Sequence, residues 1–412
     1  MGIVAVLISI LVIVVFIRKG LNIGLGMLAG AAALALTAPM SLACAGEAVL
    51  TALKDPTTWD LVLIILLIGV LGHVLQESGA LALMVDSLLR LIGDARWLMV
   101  VIPGLIGLLT VPGGAMMSAP VVAQMGDRVQ ISPEQKTGIN LTYRHLWYMI
   151  FPMVSSIVLA SSLAGVRPLQ LVVLNLPVAA VAVLASWFFL LRKVTSGGEK
   201  GHWCLADFGW FCLSILPIAT ALILFTGFGL YFPLSLAIAV VMALMLLPGG
   251  DGKLLPRLFS TFIQRVRTML WPGLKPAMIL VVLGIMVYKE MLNASSLVTS
   301  FALGLMEAGI PLWLLLLVLP FCVGLVSGVH TATVGIVIPI FMPLLTEDVF
   351  FAGLSLIYIS SLLGYVVSPL HLCLILTREF FQAKFGGVYK YIMPVVGVTL
   401  ATALGVSLLR GL

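Results

Sequence analysis

Charge is what this sequence has least of. Only 9% of its 412 residues are acidic or basic, and 62% are hydrophobic, whereas a soluble domain carries about 25% charged residues. No long polar stretch separates the apolar runs, which excludes a sizeable soluble domain and makes lipid the solvent for most of the chain. Cysteine is scarce as well. Cys44, Cys204, Cys212, Cys322 and Cys373 are odd in number, scattered and without metal-ligand spacing, so they read as packing residues. HExxH, Gly-x-Ser-x-Gly and paired mid-span acids are all missing, which argues against an intramembrane enzyme and leaves no catalytic residue, resident metal or cofactor to name. A cleaved signal peptide is not expected either. The run from Ile3 to Ile17 has its basic residues, Arg18 and Lys19, behind it rather than in front, so it reads as a retained first span.

What is present is a succession of apolar windows of spanning length, roughly 20 residues each. Windows and breakers together predict spans near 3–17, 21–39, 60–76, 138–164 and 168–191, then 206–226, 230–248, 276–292, 352–376 and 390–409. Before the fourth span of each group lies an apolar segment too long for a loop and broken by turn-forming residues. These are 97–126, broken at Pro112-Gly113-Gly114, and 312–345, broken around Ser327-Gly328-Val329-His330. If each enters and leaves on one side as a re-entrant hairpin, each half crosses five times, and the odd number inverts the second half. The expected fold is therefore an all-α polytopic membrane protein of two inverted-topology repeats. Each repeat, 1–195 and 196–412, has five transmembrane helices and one hairpin.

The charges give an independent test. With both termini on the outer side, all of the 22 basic residues except Lys54, Arg167, Lys289 and Arg410 fall at or near the inner face, a strong positive-inside bias. The net charge of +6 thus follows the membrane rather than gathering into a nucleic-acid patch. Residues 252–274 mix Arg257, Arg265 and Arg267 with Leu258, Phe259 and Phe262 and predict an amphipathic connector on the inner surface. A shift of 217 superposes Gln76 on Asn293, Ser78 on Ser295, Pro103 on Pro320 and Gly107 on Gly324. Farther along, a shift of 226 places Gly138 on Gly364 and His145 on His371.

In such a protein irregular backbone at mid-depth is tolerated only where protein or a water-filled cavity covers it, so the hairpin tips are the first candidates for a site. The first tip offers Pro112, Gly113, Gly114 and Ser118, with open amides and a restarting helix suited to an anion. The second offers Ser327, Gly328, His330, Thr331 and Thr333, a run of hydroxyls and one imidazole. The spans that follow are interrupted at Pro152 with Ser155, and at Ser368-Pro369 before His371. Asn140, Arg144, His145 and His371, together with His73, are the in-span polar and ionisable candidates for coupling or gating. Lys289-Glu290 and Arg378-Glu379 can offset each other's charge. Mid-span acids are almost absent, so sodium would be held mainly by carbonyl and hydroxyl oxygens and protons by histidine.

The paired hairpins and broken helices resemble those of the ion transporter superfamily, which includes citrate, dicarboxylate and gluconate carriers. The Pro112-Gly113-Gly114 run, the Ser327-Gly328-Val329-His330-Thr331 tip and the Ser368-Pro369-Leu370-His371 break are most similar to its uncharacterised branch, domain-of-unknown-function family 401. The resemblance implies a secondary active transporter in the inner membrane of a prokaryote, moving a small anion by alternating access with sodium or protons as coupling ion. The Ser-Asn-Thr tips of the sodium-coupled dicarboxylate carriers are missing. The expected partners are a small anionic substrate and the bilayer, with a homodimer as one assembly. The alternative class is a non-catalytic membrane subunit or a channel.

Overall fold

Helix starts are written plainly in the sequence. Asn22, Ser41, Asp55 and Ser132 each accept a hydrogen bond from a backbone amide two or three residues on, at 2.8–3.2 Å, and Pro56 and Pro133 occupy the first turns that follow. The computed structural model describes residues 2–108, 114–195, 197, 201–246, 264–295 and 309–412, and every regular element among them is helical. The first tip residues Pro112 and Gly113, and 252–263 of the expected connector, lie outside the described residues.

The chain opens with α1 (Gly2–Arg18), α2 (Ile23–Thr37), α3 (Leu42–Lys54), α4 (Pro56–Glu77) and α5 (Ala80–Ile92). A helix pair follows, α6 (Ala95–Leu108) and α7 (Ala115–Arg128), then α8 (Pro133–Ile150), a break, α9 (Ser155–Leu163) and α10 (Pro168–Ser186). Beyond it lie α11 (Leu205–Leu222), α12 (Phe232–Leu246) and α13 (Pro276–Ser295). A second pair, α14 (Leu312–Ser327) and α15 (His330–Phe341), precedes α16 (Phe350–Val366), another break, α17 (Leu372–Phe381) and α18 (Phe385–Leu409). Among the described residues, six helical stretches are long and apolar enough to cross a membrane: Pro56–Glu77, Pro133–Leu163, Pro168–Leu191, Leu205–Gly227, Val266–Ser295 and Phe385–Leu409. The architecture is compatible with a polytopic membrane protein.

Two helices were not expected. Residues 42–54 and 80–92 are too short to span, and their apolar residues recur at helical spacing on one face only, so a search for unbroken apolar windows passes over them. The shift of 226 also fails. Ile150 and Val366 end their helices, and Ser155 and Leu372 restart the chain beyond the breaks, so the spacing of 217 continues and pairs Tyr148 with Tyr365 and Pro152 with Pro369. His145 lies within α8, whereas His371 lies past the end of α16; their alignment was a coincidence of residue type.

Because lipid is as apolar as the helices, packing here depends on close approach rather than on hydrophobic drive. A Cβ on Gly324 would stand 2.3 Å from the Ser361 carbonyl oxygen, and one on Gly364 would stand 2.0 Å from that of Phe321, so α14 and α16 meet backbone to backbone. Gly107 gives α6 the same access to the Arg144 carbonyl on α8, at 2.3 Å. Every residue from Ala352 to Val366 is buried, which makes α16 a central post. Around it, α15 packs on α9 and α7 packs on α17.

Candidate functional site

A broken helix exposes backbone carbonyls that must find donors in the absence of water. At the first break Phe151 N–H donates to Trp147 O at 2.8 Å, the Tyr358 hydroxyl donates to Tyr148 O at 2.6 Å and Asn175 Nδ2 donates to Met149 O at 3.1 Å. At the second, Ser368 N–H donates to Tyr365 O at 3.1 Å, His371 Nδ1 to Val366 O at 3.3 Å and the Tyr389 hydroxyl to Val367 O at 3.0 Å. Both breaks are therefore closed by named side chains, two of which belong to a buried aromatic cluster.

Tyr365 is the hub of that cluster. Its ring centroid lies 4.0 Å from His371, 5.6 Å from His145 and 5.7 Å from His330, and the His145 and His371 rings meet edge to face at 4.6 Å. The three imidazoles are 1–3% exposed. Their partners fix the tautomers, because a carbonyl can only accept. His145 Nδ1 donates to Leu141 O at 2.7 Å, which leaves Nε2 to accept from the Tyr365 hydroxyl at 3.4 Å. His371 donates from Nδ1 in the same way, and its Nε2 is buried without a partner. Ser361 gives its proton to Tyr358 O at 2.8 Å and so accepts from His330 Nε2 at 3.3 Å; His330 Nδ1 is then a buried lone pair without a partner.

Arg144, 1% exposed, lies beside this group and close enough to His145 and His371 to act on them electrostatically. Its guanidinium rests on Gly114 at the start of α7, where a Cβ would stand 2.6 Å from Nη2. Asn140 holds that start in place. Its Oδ1 accepts from Ser118 Oγ at 2.6 Å, while Nδ2 donates to Ala115 O at 3.0 Å and to Thr377 Oγ1 on α17 at 3.3 Å. The start of α7 thus meets the Arg144 guanidinium, and the turn of the second pair presents His330. Asp207 is the only buried acidic residue among those described, and it pairs with Arg90 at 3.1 Å.

Several expected site residues serve the frame instead. Ser327 and Thr333 bond to each other at 2.7 Å and Thr333 closes on Val329 O, so two of the tip hydroxyls hold the turn. Gly328 sits in the left-handed region, φ 65°, against Leu370 of the second break. Ser368 donates to Leu325 O at 2.6 Å; Pro369 is exposed and Thr331 half-buried. Ser155 faces a separate cavity of about 70 Å³ with His73, Gln76 and Lys275. Lys289 pairs with Glu290 at 3.0 Å as expected, but Arg378 lies over the Phe385 ring at 4.6 Å rather than on Glu379.

Sequence reasoning missed Tyr148, Tyr358, Tyr365 and Cys373. Cys373 was set aside as packing, yet its Sγ and one ring nitrogen each of His145 and His371 lie within 4.8 Å of one another. The signal was the spacing His371-x-Cys373 directly after a helix break, where neighbouring residues can converge as they cannot inside a helix. No curated protein matches the sequence. Residues 1–409 match the model of DUF401, described as a protein of unknown function, and the chain belongs to that family.

Proposed function

We propose that the protein is a secondary active transporter of a small anion, held between the turns of the two helix pairs and moved by alternating access. The observation that carries this reading is the convergence of Arg144, His330 and His371 where the start of α7 and the turn of the second pair meet the helix breaks, with no buried acid nearby among the described residues. A buried guanidinium supplies fixed donors, and the open nitrogens of His330 and His371 become donors once protonated, which suits an anionic ligand. The starts of α7 and α15 add the positive ends of two helix dipoles.

The inverted repeat belongs to the same proposal, and the packing supports it. The contact of α2 with α13 has its counterpart in α12 with α4, that of α6 with α8 in α14 with α16, and that of α7 with α17 in α15 with α9. Each helix pair then reads as a re-entrant hairpin leaning on the broken helix of its own half and on the distal fragment of the other. Hairpins held in this way can rock against the scaffold without unpairing their backbone. With the imidazoles sealed from solvent and a void of about 20 Å³ bordering His145, the conformation reads as occluded.

Protons are the coupling ion this site favours. Tyr148 O, Met149 O and Val367 O at the breaks already accept from protein donors, whereas His330 Nδ1 sits at the turn with its lone pair unengaged. The test is uptake by proteoliposomes, with substrates drawn from a thermal-shift screen of carboxylates, sugar acids and oxyanions. Accumulation driven by an inward proton gradient, lost in R144Q and H330A, is the expected result. Equilibration without accumulation under any gradient would mark a channel and overturn the proposal. A sodium requirement would overturn the coupling alone.

A further inference from the structure

A histidine that binds a metal almost always donates its second ring nitrogen to a carbonyl or carboxylate, which fixes the ring and leaves the other lone pair aimed at the ion. Nδ1 of both His145 and His371 donates to a backbone carbonyl, Leu141 O at 2.7 Å and Val366 O at 3.3 Å. At His145 the ion would take the place of the Tyr365 hydroxyl that now donates to Nε2 at 3.4 Å. His371 Nε2 is buried without another partner. Cys373 supplies a buried sulfur, and one nitrogen from each ring lies within 4.8 Å of it and of the other. Ligand atoms at about 2.0–2.3 Å around a tetrahedral ion stand somewhat closer together than that, so small side-chain rotations close the set.

We infer that His145, His371 and Cys373 form a site for a transition metal ion, and that the ion is Zn²⁺. Imidazole and thiolate are the donors that Zn²⁺ accepts together, whereas the hard ions Mg²⁺ and Ca²⁺ require oxygen sets. Binding forms one Zn–S and two Zn–N bonds. The Cys373 thiol proton goes to solvent, and both imidazoles stay neutral. Three protein ligands leave a fourth position open, and the centre keeps a charge of +1. That charge adds to Arg144 and strengthens the attraction for an anion.

The geometry also gives the ion a mechanical consequence. His145 belongs to α8, while His371 and Cys373 stand at the start of α17, beyond the second break. An ion held by all three ties the first broken helix to the distal fragment of the second. The inference does not depend on transport: a protein that binds no substrate would still bind zinc here, and a transporter without the metal would fail only this test.

The experiment uses the full chain in detergent with Cys44, Cys204, Cys212 and Cys322 replaced by serine, stripped with a chelator and titrated with Co²⁺ as a spectroscopic probe. The expected result is one Co²⁺ per chain, tetrahedral visible bands, a near-ultraviolet thiolate-to-cobalt band and displacement by Zn²⁺. C373S should lose the thiolate band. H145Q and H371Q should weaken binding by at least about tenfold, the loss seen when even a supporting partner of a ligand is removed. H73Q, outside the cluster, should bind as the parent does. No stoichiometric binding, or a cobalt spectrum without the thiolate band, overturns the inference. Cys373 is the sole cysteine in this background, so the parent spectrum decides the question even if the histidine variants do not fold.

Discussion

Replacing Gly328 by alanine tests how the second turn is seated on the broken helix. Gly328 has φ 65° and ψ 14°, a conformation that costs an L-residue about 1–2 kcal/mol. The added Cβ would stand 2.7 Å from Leu370 Cβ and 2.9 Å from the Leu370 carbonyl carbon. Leu370 cannot simply yield. Its N–H donates to Ser368 Oγ at 3.1 Å, and that hydroxyl donates to Leu325 O at 2.6 Å on α14, so moving the break strains both. Overpacking of this kind adds about 1–3 kcal/mol, for a total loss of about 2–5 kcal/mol. The control is Gly397→Ala. Gly397 lies inside α18, is exposed and has nothing within 4 Å of an added Cβ, so alanine there gains up to about 1 kcal/mol of helix propensity. Denaturant unfolding of the two variants in detergent should therefore move in opposite directions. A G328A protein as stable as G397A would refute both the backbone assignment and the seating of the turn on Leu370.

Gly114→Ala should push the Arg144 guanidinium off the start of α7, with the fold kept; its ligand-induced thermal shift should need at least about tenfold more ligand, the cost of one lost charge-assisted contact. Tyr358→Phe removes the donor to Tyr148 O, and leaving that buried carbonyl unpaired should cost about 1–3 kcal/mol in denaturant unfolding. Ser156→Ala, which leaves that donor in place, should cost less. At the α5–α6 junction burial pushes the Asp94 carboxyl up, but hydrogen bonds from the Arg96 side chain and backbone outweigh it and hold the group below its ordinary value. A depressed carboxylate contributes stability above its unfolded value and loses it as pH falls through the folded one. Melting of D94N should accordingly lie below that of the parent at neutral pH and converge with it below about pH 4, near the free aspartate value.

Apolar windows found the long helices because spanning length is a property of composition, and Pro and Gly found the breaks because they act on their own backbone. Helices 42–54 and 80–92 escaped because an amphipathic helix of thirteen residues carries no unbroken apolar run. In the site, Arg144, His145, His330 and His371 were legible because ionisable groups in apolar surroundings are conspicuous. Ser327, Thr333 and Ser368 were equally conspicuous, yet the first two close their own turn and the third ties the second break to Leu325 O, roles sequence does not distinguish from ligand binding. Tyr365 and Cys373 were invisible for the opposite reason. Tyrosine and cysteine are unremarked in an apolar helix, and only folding brings them against residues more than two hundred positions away.

The spacing of 217 bears on how such a site could work. It pairs Gly107 with Gly324 and Arg144 with Ser361, and in both halves the glycine admits the carbonyl of its paired residue at 2.3 Å. It also pairs Tyr148 with Tyr365 at the ends of α8 and α16. Under the proposed repeat the frame is duplicated, but the chemistry is not. In that reading one half sets an arginine, Arg144, against the start of α7. The other sets Ser361 in the same place, and His330 leans on it at 3.3 Å. A fixed charge can bind an anion but cannot report a proton gradient; an imidazole can do both. If the halves rock as equivalents, their difference in charge gives transport a direction. Converting Ser361 to alanine should leave the backbone contact with Gly324 intact while removing the His330 acceptor. Uptake in that variant should become independent of pH, and a pH profile unchanged from the parent would place the proton elsewhere.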